Sequence, residues 1–247
     1  DIFSLNSAVN SSIDPDLQFL HNQIRTNNFS PHSFNKSKQS MLQSTNRTFS
    51  ILHNNVRSLR ANLDDFHDHL VNELQFNFDI IGITETKLTN SNNPSESNFD
   101  LNLNINGYTF EYVPTPLASG GVGMYINNKL NYSVIKKTTN SPFQALWIEI
   151  YCQSKKIIIC GVLYRQHNLP DDFLTHFDDA LEKYSRSEKP VYLIGDFNID
   201  LLKSETCNHS HSYLLSLQSY HFLPCIDKPT RVLKRTFSNK FIICKQC

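Results

Sequence analysis

The chain has 247 residues, enough for one large domain, or one domain with a tail, around a sizeable core. Lys plus Arg and Asp plus Glu each number 23, so the formal net charge of +0 gives no global field to gather nucleic acid, although a local basic stripe is enough for DNA. No apolar run approaches the about 18 residues of a membrane-spanning helix, and the six Cys are too scattered for a small disulfide framework.

Residues 1–46 read as a polar lead. Asn and Ser supply 7 and 9 of those positions, and apolar residues are sparse and aperiodic. Such a stretch is expected to stay disordered, with a short helix over Asp16 to Ile24 as its one candidate element. The chain opens on Asp1 without Met and shows no signal peptide, so the start of the natural product is expected to be missing. From Thr48 the texture changes. Phe49 to Val56 reads as a strand. Leu63, Phe66, Leu70 and Leu74 recur at helical spacing and predict an amphipathic helix over Leu59 to Gln75. A compact β-rich run, Phe78 to Ile83, follows. Gly107 to Val113, Gly121 to Ile126, Tyr132 to Lys136, Ala145 to Tyr151 and Lys156 to Tyr164 read as strands joined by short turns. Pro170 to Tyr184 follows helical spacing through Phe173, Phe177 and Leu181, Val191 to Ile194 is a buried strand, and His209 to Tyr220 is a further helix. Strand–helix–strand, a run of hairpins, then helix–strand–helix predicts a mixed α/β domain with sheets inside and helices outside.

Several polar residues stand where these strands end. Asn55 follows the first strand, where an amide can fix a metal or a phosphate oxygen, or can simply turn the chain into a helix. Glu85 follows the strand ending at Ile83. A carboxylate at that end points into the crevice where α/β proteins place ligands, and Mg²⁺ favours carboxylate oxygen. A solvated Glu beside Lys87 is the plainer alternative. Tyr164 and Arg165 close another strand as a phenol and a guanidinium able to bind phosphate, or as a rim Tyr and a surface Arg. Gly195-Asp196-Phe197-Asn198 is the sharpest local signal. An apolar strand runs into Gly, then an anionic and a neutral side chain two apart, able to orient a water and hold a phosphoryl oxygen. A Gly-Asp turn with an Asx bond uses the same residues. His67, His69, His209 and His211 read as surface residues, and Cys244 with Cys247 is a single pair, short of the four ligands zinc takes. No acid follows Asp227, whereas Lys228, Arg231, Lys234, Arg235, Lys240 and Lys245 do, as a solvated end or as contacts to a phosphate backbone.

Taken in order, the strings His53-Asn54-Asn55-Val56-Arg57-Ser58-Leu59, Ile83-Thr84-Glu85-Thr86-Lys87-Leu88, Gly161-Val162-Leu163-Tyr164-Arg165, Gly195-Asp196-Phe197-Asn198-Ile199-Asp200 and Lys228-Pro229-Thr230-Arg231 resemble the endonuclease/exonuclease/phosphatase superfamily. Within it they look like the apurinic-type endonuclease domain of non-LTR, LINE-like retrotransposons. The resemblance implies an α+β, four-layer α/β sandwich of two packed mixed β-sheets flanked by helices, over residues 47–237. It implies hydrolysis of phosphodiesters or phosphomonoesters with Mg²⁺ or Mn²⁺. Carried over by motif, Glu85 and Asn55 would serve the metal. Asp196 would orient or deprotonate the attacking water, Asn198 would hold the phosphate, and Tyr164 would contact the scissile phosphate. Arg165, Thr230 and Arg231 would contact phosphate or nucleic acid. DNA is the implied substrate, with a reverse transcriptase domain as companion in a full-length element, no membrane, and a nuclear or cytoplasmic place inside the cell.

One departure is marked. The family pattern continues with an Asp-His on a late strand and a Ser-Asp-His, whereas this chain has no His after His221. Residues 238–247 are therefore expected to be an aberrant tail, by truncation, frameshift or mis-splicing. The late strands are expected to be missing, an inner sheet to be left with an open edge, and catalysis to be impaired. The alternatives are a non-catalytic remnant that binds metal or nucleic acid, and a small-molecule phosphatase.

Overall fold

The computed structural model describes residues 31–42, 49–90, 102–116, 119–139, 142–152, 156–166, 172–225 and 239–244. In chain order its elements are α1 (Pro31–Leu42), β1 (Phe49–Asn55), α2 (Leu59–Asp68), a π-helical turn (His69–Leu74), β2 (Ile80–Thr84), β3 (Tyr108–Val113), β4 (Val122–Asn127), β5 (Asn131–Thr138) and β6 (Phe143–Tyr151). There follow β7 (Ile157–Arg165), α3 (Phe173–Ser185), β8 (Val191–Asp196), a short 3-10 turn (Leu201–Lys203), α4 (Asn208–Ser219) and β9 (Asn239–Cys244). Two sheets form, one in the order β3-β4-β2-β1-β9 and one in the order β5-β6-β7-β8. Within them β1–β2 and β7–β8 run parallel and the other pairs antiparallel. Both sheets are mixed, and helices lie outside them, as the sequence predicts.

Alternation along the strands divides the core into layers. Ile51 and Ile80 of one sheet meet Leu146, Ile148, Val162 and Ile194 of the other in a cluster sealed between the sheets. On the outer face of the first sheet, Leu52, Ile81 and Ile83 pack under Leu59, Phe66 and Leu70 of the α2 segment. On the outer face of the second, Phe143, Ala145 and Trp147 pack under Phe173, Phe177 and Leu181 of α3, at the helical spacing read from the sequence. Each Leu, Ile, Val or Phe side chain among them, fully buried, contributes about 1.5–3 kcal/mol. Ser58 caps α2 by accepting from the Ala61 N–H at 3.4 Å. The helix changes to π geometry at His69 and stops at Gln75, whose φ of 50° is left-handed.

Three expectations are corrected. Within the polar lead, residues 31–42 form a helix. Phe34 is fully buried against Phe76 and Phe78, and Lys38 Nζ donates to the Leu74 carbonyl at 3.0 Å. Among the described side chains, an aromatic anchor with long-range hydrogen bonds from Asn35 and Lys38 ties the helix down without the apolar stripe that periodicity looks for. Asp16 to Ile24 lies outside the described residues. Second, residues 239–244 of the tail form β9, which pairs with β1 from Phe49↔Cys244 to Asn54↔Asn239. The run Phe241-Ile242-Ile243 has strand-forming composition, and the edge of β1 supplies the backbone partners it needs. Third, His69 is buried rather than on the surface, and its Nδ1 meets Glu73 Oε2 at 2.5 Å. In the second sheet β8 pairs with β7 alone among the described residues, so its outer side is an edge.

Candidate active site

Across the second sheet, the side chains facing the first sheet form rows. Ile148, Cys160 and Tyr192 are in register, then Leu146, Val162 and Ile194, then Gln144, Tyr164 and Asp196. The last step turns an apolar interior into a polar rim. The first sheet changes over the same distance, from Ile51, Ile80 and Ile126 to Asn55, Thr84 and Val122. Because β1–β2 and β7–β8 are both parallel pairs, their four carboxyl ends emerge together. This is the edge at which open α/β sheets hold ligands.

Asn55 ties the two sheets at this rim. Its Nδ2 donates to Glu85 Oε1 at 2.6 Å and to Asp196 Oδ2 at 2.7 Å. Its Oδ1 accepts from the Arg57 N–H at 3.1 Å. Two carboxylates are thus held within a few ångströms by one shared amide, a cost of like-charge repulsion that a cation would relieve. Both are half-buried. Tyr164, 6% exposed, stands beside Asp196 in register. Asp196 Oδ1 accepts from the Asn198 N–H at 3.2 Å, and Asn198 Nδ2 donates to the Arg165 carbonyl at 2.6 Å. That bond uses one of the two Asn198 amide hydrogens.

The loops that carry these residues are backbone-constrained. Among the described residues seven non-glycines have positive φ, and five of them, Arg57, Ser58, Glu85, Lys87 and Asn198, lie just beyond β1, β2 and β8. Each such conformation costs roughly 1–3 kcal/mol and persists only where surrounding structure enforces it. The enforcement is visible. Ser58 N–H donates to the Glu85 carbonyl at 2.8 Å, Leu59 N–H to Thr86 O at 2.9 Å, and Lys87 N–H to Gly120 O at 2.9 Å. At β8 the chain turns through Gly195, φ 151°, where an added Cβ would stand 2.0 Å from the Leu163 carbonyl oxygen.

Arg165 needs correction. Its side chain is buried on the opposite face of β7, 4.9 Å over the Phe173 ring, with Nη1 donating to Phe197 O at 3.4 Å. Nη2 lies 3.1 Å from His209 Nε2, a contact that requires that nitrogen to act as acceptor. Burial lowers the guanidinium below its ordinary pKa, with neighbouring Tyr213 acting the other way. Alternation decides this: with Tyr164 facing the sheet interface, Arg165 faces α3. It braces the Phe197–Asn198 loop from behind and is not a phosphate fork at the rim. Thr230 and Arg231 lie outside the described residues.

Two contributors escape the sequence reading. His209 is exposed, as the sequence predicts, but its link to Arg165 is a contact across 44 positions that no local pattern shows. Gln144 had a signal: it is the one polar residue where Gln144, Leu146, Ile148 and Ile150 should all face the core.

Among the described residues no group of three or more His, Cys, Asp and Glu side chains is placed to hold a metal. The donor set at the rim nevertheless fits a hard divalent cation. Mg²⁺ is commonly bound through one or two carboxylates, with waters and substrate phosphate completing its shell. Glu85 and Asp196 are two such carboxylates, drawn together with an amide between them.

The Endonuclease/Exonuclease/phosphatase family matches residues 51–239, which span β1 through the start of β9. Among solved structures, the endonuclease domain of TRAS1, a telomere-specific non-LTR retrotransposon, is similar at a TM-score of 0.54 and 12% identity, over 81% of this chain and 86% of that one. The AP endonuclease LMAP from Leishmania major is similar at a TM-score of 0.54 and 14% identity, over 85% of this chain and 78% of that one. At such identities the likeness shows a common fold. Among curated protein sequences none matches. With the family matched over most of its length and the sandwich of that fold in place, the chain belongs to the Endonuclease/Exonuclease/phosphatase family.

Proposed function

We propose that the chain is a metal-dependent phosphodiester hydrolase of the DNA-nicking kind, derived from a retrotransposon. The observation that carries this reading is the Asn55 amide shared between Glu85 and Asp196 at the joined carboxyl ends of both sheets. The likeness to the TRAS1 endonuclease domain supports the choice within the family.

Glu85 and Asn55 would hold Mg²⁺ or Mn²⁺, which when bound neutralises charge developing on a phosphoryl oxygen. Asp196, fixed by Asn55 and by the Asn198 N–H, would orient an attacking water and take its proton. The remaining Asn198 amide hydrogen and the Tyr164 phenol offer donors to the phosphate. Thr230 and Arg231 are proposed as outlying contacts to the substrate backbone. Such a domain would act on DNA in the nucleus or cytoplasm, and in a full element its companion would be a reverse transcriptase. No acid follows Asp227 and no His follows His221, so these 247 residues lack the family's late Asp and His. Loss of one oxyanion donor costs about 10²–10³ in rate.

Supercoiled plasmid nicking, run beside phosphate release from a phosphomonoester, tests the reading. The expected result is slow, metal-dependent nicking that disappears in Asp196→Ala, with no phosphate release. Phosphate release without nicking would make the chain a phosphatase. Silence in both assays, with metal binding retained, would make it a non-catalytic binder.

A further inference from the structure

Gln144 is a buried polar side chain on β6 to which the mechanism above gives no part. It lies 8% exposed in the rim row with Tyr164 and Asp196, on the sheet opposite Glu85. Its Oε1 accepts from the Gly121 N–H at 2.5 Å. A backbone N–H can only donate, so this contact fixes which end of the amide faces Gly121. The turn it holds is itself a clamp. Gly121 O accepts from the Thr86 N–H at 3.2 Å, and Gly120 O accepts from the Lys87 N–H at 2.9 Å. Thr86 and Lys87 directly follow Glu85, and Glu85 and Lys87 are both left-handed, with φ of 56° and 54°. The space is fully used: a Cβ added to Gly121 would sit 2.3 Å from Thr86 Oγ1, and one added to Gly120 would sit 2.5 Å from Gln144 Oε1. A continuous chain of short contacts therefore runs from the second sheet, through the Gly120–Gly121 turn, to the backbone that aims Glu85 at Asn55.

We propose that Gln144 is the positioning residue for Glu85: its side-chain oxygen holds the Gly120–Gly121 turn, and the turn holds the Glu85–Lys87 loop in the conformation that presents the carboxylate to a divalent cation. This rests on the reading of Glu85 as the metal carboxylate. The role needs an acceptor oxygen at a fixed reach and nothing else of glutamine. Gln144→Glu keeps that oxygen, whereas Gln144→Met keeps length and volume and removes it. A contact that orients a ligand from behind, when lost, typically lowers metal affinity about 10–100-fold.

The test titrates the full 247-residue chain with Mn²⁺ by calorimetry and follows backbone hydrogen exchange of residues 84–88 in the same samples. Gln144→Met is expected to bind Mn²⁺ at least about tenfold more weakly and to exchange faster at Thr86 and Lys87. Gln144→Glu is expected to lose neither affinity nor protection. If the Met variant does not fold, Gln144→Asn, which retracts the acceptor by one methylene, is expected to show the same two losses. Wild-type affinity and exchange in the Met variant would overturn the proposal. Equal losses in the Met and Glu variants would overturn it too, since the oxygen would then be irrelevant. Unchanged Mn²⁺ binding in Glu85→Gln would overturn the metal reading instead, and the exchange data would still decide whether Gln144 holds the loop.

Discussion

The two ends of the sandwich each carry carboxylates, and they use them in opposite ways. At the end where β2 begins, Asp79 Oδ2 accepts from the Ser50 N–H at 2.8 Å and from the Ser50 hydroxyl at 2.9 Å, while its N–H returns a bond to Ser50 O at 3.0 Å. Ser50 is 3% exposed, so its donors have no water to turn to. Asp79 is locked into a local exchange with one neighbour. At the end where β1, β2 and β8 finish, Glu85 and Asp196 share a single amide, and among the described residues nothing bonds the second oxygen of Glu85. The first arrangement satisfies buried backbone. The second holds two like charges close together against their own repulsion, an arrangement that recurs at functional sites. The proposed chemistry is assigned to the end where two carboxylates converge on one amide.

Substitutions can break this contrast in turn. The largest effect is expected from Gly195→Ala. A methyl group 2.0 Å from the Leu163 carbonyl oxygen forces β8 off β7 and dismantles the rim, at a cost on the order of 3 kcal/mol or more in urea denaturation. A variant as stable as wild type would show that the turn relaxes freely. Next comes Asp79→Ala at the other end, which strands two buried Ser50 donors and should cost about 2 kcal/mol while leaving Mn²⁺ binding unchanged. Weakened Mn²⁺ binding there would mean the two ends are coupled and the division is false. The smallest stability effect is expected from Glu85→Gln, within about 0.5 kcal/mol without metal, because it relieves repulsion and keeps an oxygen for Asn55. The stabilisation that Mg²⁺ or Mn²⁺ gives the wild type through linkage should vanish in that variant. A melting temperature that still rises with metal would move the site elsewhere.

Much of this arrangement is legible in the sequence, and what escapes has a common cause. Strands such as Phe143–Tyr151 and Ile157–Arg165, and the helix over Phe173–Ser185, announce themselves because burial imposes a period on neighbouring residues. Asn55, Glu85 and Asp196 are legible because each directly follows an apolar run, and strand ends are where polar groups can converge. Helix α1 is not, because among its described side chains only Phe34 is fully buried, and ties from Asn35 and Lys38 reach Glu73 and Leu74 far along the chain. Strand β9 is not, because what calls for it is the open side of β1. Arg165 is misread for a subtler reason. Position at a strand end is visible in sequence, but the face is decided by counting from a core neighbour, and Tyr164 takes the interior face first.

The pairing of β9 with β1 also bears on how the chain reaches this state. Residues 49–55 are flanked by a strand on each side, and one of their two partners is residues 239–244. During synthesis, at about 5–20 residues per second, β1 leaves the ribosome roughly 10–40 s before β9 exists. Throughout that interval the strand carrying Asn55 has one side unpaired, exposed to wrong partners or to chaperones. A contact of such sequence separation makes for slow, late closure of the domain. Maturation of the rim is therefore tied to the emergence of residues 239–244, and agents that slow elongation should lower the yield of folded protein more than they would for a domain built from local pairings.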